Sequence, residues 1–359
     1  MIFDDVLKII NGRNQKAVEN PNGKYPIYGS GGIMGRADDY ICNAETVVIG
    51  RKGNINKPIF VEEPFWNVDT AFGLEANKSV LLPKYLFYFC VHYDFEKHNK
   101  TVTIPSLTKA DLLKIKIDLP SLGEQQDIVK KLQQIETIIF KRKQELDILD
   151  ELIKARFVEM FGDPISNDKG WNTDPLTDVC SRIYGGGTPS KSHPEYFEGS
   201  IPWVSPKDMK SDVITDSIDH ITEEAIANST TNLVPEGSVL MVIRSGILKH
   251  DLPVSINAVP VTINQDMKAF VPGENITASF LRNYFKAIEL DVLAGVRGVT
   301  ADNIDFKAFQ HRKIIVPPIH LQEEFEDFCR QVDKSKSVVK KSLDETQLLF
   351  DSLMQKYFG

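Results

Sequence analysis

Two stretches of the chain carry the most regular alternation of apolar and polar positions. Over 121–161, Ile128, Leu132, Ile135, Ile139, Arg142, Leu146, Leu149 and Ile153 recur in unbroken steps of four and three. Over 318–358, Phe325, Cys329, Val332, Lys336, Val339, Leu343, Thr346 and Phe350 do the same. The spacing predicts two long helices. The stripe is narrow and flanked by KKLQQ, KRKQE and KSKS, which predicts a coiled-coil seam rather than the wider face of a core helix. Neither stripe can be covered by its own helix, so the pattern predicts an antiparallel intramolecular pair. The competing arrangement is two helices, each lying on its own body. Roughly 40 residues at about 1.5 Å rise make a rod near 60 Å, about two turns of B-DNA.

Elsewhere the period changes. Short β-branched runs, TVVIG at 46–50 and SVLMVIR at 238–244, alternate with loops rich in Gly, Pro, Asn and Asp and predict strands and turns. Short helices are expected at 84–92 and 279–290, and Pro120 and the pair Pro317-Pro318 close the strand-bearing regions before each long helix.

The chain also matches itself. At a shift of 197 residues, 103–162 falls on 300–359 without a gap: Thr103 on Thr300, Lys116 on Lys313, Ile117 on Ile314, Pro120 on Pro317, Gln125 on Gln322, Lys143 on Lys340, Leu152 on Leu349. Both copies end on Phe-Gly, at 161–162 and 358–359. A shift of 173 aligns Asp5-Val6 with Asp178-Val179, Ile10 with Ile183 and Gly12 with Gly185. A gapless register with shared ends reads as duplication. The expected organisation is a mixed α/β fold with bodies at 1–120 and 163–317, each followed by a helix, at 121–162 and 318–359.

Composition narrows the class. The apolar and charged fractions, 42% and 26%, are those of a globular protein, and no run of about 18 apolar residues predicts a membrane span. The four Cys are far apart with no CxxC pair, and the N-terminal MIFDDVLKII has acids where a leader would be apolar, so a reduced, cytoplasmic protein is expected. The seven His have no metal-ligand spacing. The net charge is −8, distributed as +1 over 1–120, −1 over 121–162, −6 over 163–316 and −2 over 317–359. A simple nucleic-acid binder is usually basic, so any phosphate contact has to come from local clusters or from a partner chain.

Several segments resemble the specificity subunits of type I restriction–modification systems. LPSLGEQQDIV at 119–129 resembles that family's repeated helix opening, and LIKARFVEMFGDP at 152–164 its helix junction. GKYPIYGSGGIMGRADDY at 23–40, VVIGRKGNINKP at 47–58 and FWNVDTAFGL at 65–74 are similar to one class of target-recognition domain; GGGTPS at 185–190 and IPWVSPKDM at 201–209 are similar to another. The second copy departs from the pattern in reading Gln322-Glu323-Glu324 for Glu-Gln-Gln, and the first body begins almost at Met1. The resemblance implies a DNA-binding, non-catalytic subunit. Its two target-recognition domains would each read one half of a split asymmetric site, spaced by the helix pair. It implies docking to two adenine-methyltransferase subunits and, through them, to restriction subunits. S-adenosylmethionine, ATP and Mg are expected on those partners and no cofactor on this chain.

The residues themselves offer no catalytic set. GGGTPSKS at 185–192 imitates a phosphate-binding loop, but Ser190 replaces the second Gly, Pro189 lacks an amide donor and Pro194 interrupts the helix that should follow. Neither the (N/D)PP(Y/F) motif nor the Gly-rich cofactor loop that a DNA adenine methyltransferase needs appears. Candidate DNA contacts are basic, hydroxyl or amide residues on loops, because phosphate contacts position and base-edge contacts specify. In the first body these are Tyr28, Ser30, Arg36, Arg51, Lys52 and Asn54; in the second, Thr188, Lys191, Lys207, Arg244, Ser245, Lys249 and Arg297. Arg51 and Arg244, each where a strand gives way to a Gly-containing turn, are the expected base readers. Trp66 and Trp203 are expected in the core rather than stacked on bases. Two other functions fit less of the chain: a coiled-coil adaptor, favoured by the negative charge but needing no Gly-rich heads, and a free-standing restriction enzyme, which lacks its motifs.

Overall fold

The computed structural model describes residues 1–99, 101, 103–296 and 302–359. They form two compact units, Met1–Gln144 with Lys340–Gly359, and Glu145–Val339. The long helices run Leu122–Phe161 and Ile319–Phe358, within a residue of the hydrophobic pattern. Among the described residues no helix is long and apolar enough to cross a membrane.

In the first unit, β1 (Leu7–Asn11), β4 (Thr46–Gly50), β5 (Ile59–Val61) and β7 (Ala71–Ala76) form an antiparallel sheet in the order β1-β7-β4-β5. Strand β4, the TVVIG run, is buried along its length, as a strand covered on both faces must be. The helix Pro83–His92 packs on this sheet and fills the core with Tyr85, Leu86 and Phe89. A smaller sheet, β3-β2-β6, joins β2 (Tyr25–Gly29) and β3 (Gly32–Ala37) to β6 (Trp66–Asn67).

The second unit repeats this plan. Its main sheet has the order β11-β14-β13-β16-β9, from β9 (Cys180–Gly185), β11 (Val213–Ile214), β13 (Val239–Val242), β14 (Val254–Asn257) and β16 (Met267–Pro272). The helix Ala278–Ala287 packs on β13, β14 and β16. The smaller sheet is β12-β10-β15, from β10 (Ile201–Val204), β12 (His220–Ile221) and β15 (Thr262–Ile263). The two sequence registers meet at one place in each unit. Ile2 bridges Lys116 in the first, and β8 (Thr173–Pro175) pairs with β17 (Lys313–Ile315), setting Pro175 against Lys313, in the second.

The seam residues are covered unevenly. Leu132, Ile135, Ile139, Ile153, Phe325, Val332 and Val339 are buried, while Ile128, Leu146, Leu149, Leu343 and Phe350 are half-buried. The apolar stripe of the first helix does not stop at Ile153. It continues through Phe157 and Phe161, whose rings lie 5.6 and 5.5 Å from Phe325 and 5.5 and 4.9 Å from Phe280 in the second unit. Steps of four through Phe157 and Phe161 widen the face toward that of a core helix, and Val129 and Met354 are buried off the 4-3 register as well.

Each long helix is tied to its body by a fully buried glutamine in its first turn. Gln125 Oε1 accepts from Leu82 N (2.9 Å), and its Nε2 donates to Val80 O (2.9 Å) and Pro120 O (3.0 Å). Gln322 Oε1 accepts from Thr277 N (3.0 Å), and its Nε2 donates to Asn275 O (3.0 Å) and Pro317 O (2.8 Å). Leu82 and Thr277 are the N-cap residues of the two body helices. Both amides are therefore fully used, although the helix starts differ. Ser121 and Glu124 form a capping box on the first, and Pro317-Pro318 precede the second. Replacing either glutamine by Leu removes the partner of one N–H and two carbonyls in part-buried or buried contacts. The expected loss is about 2–4 kcal/mol of stability for the affected unit, read as a lower denaturant midpoint at unchanged slope; a loss below about 0.5 kcal/mol, the size of an ordinary surface effect, would contradict it.

Candidate nucleic-acid interface

In the first unit, β4 ends on Gly50, where a side chain would stand 2.3 Å from Asn54 O, so the chain folds back at once and displays residues 51–54 at a tip. Arg51 N and Lys52 N both donate to Thr70 O, at 2.8 and 3.2 Å, and Gly53 N donates to Pro105 O at 3.0 Å with φ at +81°. The Ser30–Gly31 turn lies alongside: a Cβ on Gly53 would stand 4.0 Å from Ser30 Oγ, and one on Gly31 3.8 Å from Asn54 Nδ2. Ser30, Arg51, Lys52 and Asn54 thus belong to one loop cluster. The exposed Arg51 guanidinium sits 5.8 Å from the Phe72 ring centre. Neither Arg51 nor Lys52 has a carboxylate within ion-pair distance among the described residues.

Two further candidates have structural employment. Arg36 Nε and Nη2 donate to Gly23 O and Lys24 O, both at 2.6 Å, closing that loop. Tyr28 is half-buried against Phe65, with ring centres 5.3 Å apart, and burial raises its phenol pKa.

In the second unit two of the candidates meet the loop that follows β15. Thr188 Oγ1 bonds to the Gln265 side chain, and Arg244 pairs with Asp266 at 2.5 Å. Ser245 N donates to Asp302 O at 3.1 Å, and Lys249 lies 3.9 Å from the Asp302 carboxylate. Lys207 is paired separately with Asp219 at 2.7 Å, and the hydrogen bond raises its pKa. Lys191 is exposed, with no carboxylate at ion-pair distance among the described residues; Arg297 lies outside them. The acidity of this body therefore appears as carboxylates set against its candidate cations.

Both clusters rest on the same joint, which the sequence did not reveal. A side chain on Gly12 would stand 1.7 Å from Val68 O; one on Gly186 would stand 1.7 Å from Asn264 O. The next residues, Arg13 and Gly187, donate their N–H to Asn67 O (2.8 Å) and Ile263 O (3.0 Å) and receive an indole N–H from Trp66 and Trp203, each at 3.0 Å. The Gly-rich run at 185–187 therefore allows close main-chain approach in the joint. A short 3₁₀ turn at Pro194–Phe197, rather than a long helix, follows it. Trp66 is buried as expected, whereas Trp203 is half-buried.

Among the described residues no three His, Cys, Asp or Glu side chains are grouped to hold a metal. All four cysteines are buried, and burial pushes the Cys42 and Cys180 thiols up to about 12.

A family model described as "Type I restriction modification DNA specificity domain" matches residues 3–148 and 168–346. The specificity subunit of the type I restriction enzyme EcoR124I/EcoR124II from Escherichia coli is 32% identical over 268 residues, which is 72% of this chain but 65% of that protein, just under two thirds. The MjaIX specificity subunit from Methanocaldococcus jannaschii is 31% identical over 121 residues, 33% of this chain and 27% of its own. The fold is that of the solved S subunit from M. genitalium, with a TM-score of 0.62 at 16% identity, covering 100% of this chain and 95% of the other. A second chain, from a structural study of type I R-M complex assembly and conformational transition, gives 0.60 at 18% identity and covers 100% and 96%.

The joint carries its own prediction. Gly186→Ala drives a methyl group into a carbonyl that the sheet holds in place, and overpacking of this kind costs about 1–3 kcal/mol or more. Gly246→Ala, with open space around it, should cost less than about 1 kcal/mol. Thermal unfolding of the two variants compares them; equal midpoints would refute the close-approach role.

Proposed function

This chain belongs to the type I restriction–modification DNA specificity family, and we propose that it is the DNA-reading subunit of such a complex, with one reading head in each compact unit. The observation that carries this is the duplication of the loop cluster: each unit builds the same Gly–Trp joint and sets a cationic side chain, Lys52 or Arg244, on the adjoining tip. The tips differ in residue and in counter-charge, as two heads reading unlike halves of a split site require. The heads are the bodies at 1–120 and 163–317, and the helices at 121–162 and 318–359 space them as an antiparallel pair. Contacts within the second unit support that pairing. Lys336 meets Asp150 at 2.6 Å and Arg156 meets Glu324 at 2.9 Å, so the chain order along one helix opposes that along the other.

Chemistry in this reading is supplied by partners: two adenine-methyltransferase subunits, with restriction subunits docked through them. S-adenosylmethionine, ATP and Mg would be held there and not on this chain. The long helices offer exposed apolar side chains for such docking, among them Phe140, Ile148, Leu152, Val338 and Leu348.

A chain with a net charge of −8 neutralises few phosphates by itself. The full-length protein alone should therefore bind duplex DNA weakly and with a shallow salt dependence, and addition of the methyltransferase subunits should tighten binding and steepen the dependence. Gel shifts at several salt concentrations measure both. Tight, sequence-specific binding by the chain alone would refute the division of labour, and no binding with partners present would favour the adaptor.

A further inference from the structure

The strand ends at the two tips are seated by the same set of main-chain contacts. In the first unit, Arg51 N and Lys52 N donate to Thr70 O (2.8 and 3.2 Å), Gly53 N to Pro105 O (3.0 Å) and Leu107 N to Arg51 O (2.9 Å), while Lys52 bridges Ser106. In the second, Ile243 N and Arg244 N donate to Asp266 O (2.8 and 3.2 Å), Ser245 N to Asp302 O (3.1 Å) and Ile304 N to Ile243 O (2.9 Å), while Arg244 bridges Asn303. The counterpart of Arg244 is therefore Lys52, and the counterpart of Arg51 is the buried Ile243. The sequence, by pairing Arg51 with Arg244, joined positions that the two folds do not equate.

The shared seat holds a cation in both units, in different surroundings. Arg244 Nε and Nη2 both reach Asp266 Oδ1, at 2.6 and 2.5 Å. Asp266 is steadied in turn by Asn264, whose Nδ2 donates to Asp266 Oδ2 (3.2 Å) and whose Oδ1 accepts from Asp266 N (3.0 Å). Arg244 nevertheless keeps 47% of its side chain exposed. A cation neutralised by a carboxylate has little to offer a phosphate, because its charge is already balanced. A guanidinium held in one plane loses less freedom when it meets a base edge, and its remaining donors are aimed. Lys52 is exposed with no carboxylate at ion-pair distance among the described residues, and a free ammonium on a flexible stem suits a phosphate.

We propose that Asp266 is a positioning residue that fixes Arg244 to read a base edge in the half-site of the second unit, while Lys52, in the same seat of the first unit, contacts the phosphate backbone. The proposal rests on the DNA-reading function above.

The test uses the full chain reconstituted with its methyltransferase subunits on a library of duplexes randomised across both half-sites. Methylated duplexes are sequenced and binding is measured against salt. Asp266→Asn and Arg244→Lys should each reduce discrimination at the same base pair, in one half-site only, by about tenfold, as expected for loss of one oriented bidentate contact. The preference in the other half-site should stand. Lys52→Ala should leave both consensus halves intact and lower the log–log salt slope by about one. An Asp266→Asn complex that loses affinity equally for all sequences, with its consensus unchanged, would overturn the positioning role and make the ion pair structural. A changed consensus in Lys52→Ala would overturn the phosphate assignment. A wild-type complex that methylates without sequence preference would instead overturn the DNA-reading function itself, before any variant is compared.

Discussion

A single buried amide decides where each long helix begins and what it leans on. Gln125 and Gln322 each satisfy an N–H at the cap of a body helix and two carbonyls, one of them on the proline before the long helix. Such a group cannot be replaced piecemeal, because each of its partners is a main-chain atom in a part-buried or buried contact. Capping boxes, prolines and loop lengths vary between the copies around it. The constraint is polar and geometric, so it fixes direction, which apolar packing alone leaves adjustable. The cores of both units are then completed by aromatic side chains on either side of that joint: Tyr85 and Phe89 in one, Phe157, Phe161, Phe280 and Phe325 in the other.

Much of this was legible in the chain before folding. The 4-3 spacing located both helices, and the shifts of 173 and 197 identified the duplicated ends, which the strands bring together at Lys116 and Lys313. The shift of 173 set Gly12 on Gly185 and Ile10 on Ile183, but an irregularity in the β9–β16 pairing moves the register by one, so that the counterpart of Gly12 in the joint is Gly186. Gln125 and Gln322 stood out as a matched pair, although no pattern of periodicity could say that they are buried. The joint was illegible for a different reason. Its contacts are between main-chain atoms, which every residue carries, so only the absence of a side chain at Gly12 and Gly186 could have hinted at it. The tips were found as loops, but equivalence of Lys52 with Arg244 depends on hydrogen bonds donated to Thr70 O and Asp266 O, on other segments of the chain. The face that widens through Phe157 and Phe161 was missed because a strict seam was extended by steps of four and three, and these residues continue it by fours alone.

The negative charge looks less contradictory once its placement is known. In the second unit, Asp266, Asp302 and Asp219 stand beside Arg244, Lys249 and Lys207, whereas in the first, Arg51 and Lys52 have no carboxylate at ion-pair distance among the described residues. Net charge sums over both cases and so hides the difference between a cation that attracts from a distance and one that is held in a chosen orientation.

The indoles of the joint have a consequence for how such chains are compared. In the parallel strand pairs, Trp66 stands opposite Ile27, and Trp203 stands opposite Thr262. By the hydrogen bonds that frame them, Trp66 matches Thr262 and Trp203 matches Ile27, so the ring has crossed from one strand to its neighbour while still donating to the same main-chain oxygen. An alignment column through either position would set Trp against Ile or Thr and score the anchor as lost. What the two units share is an indole on one of two paired strands and its hydrogen bond to the joint, a property of two positions together that no column-by-column comparison records.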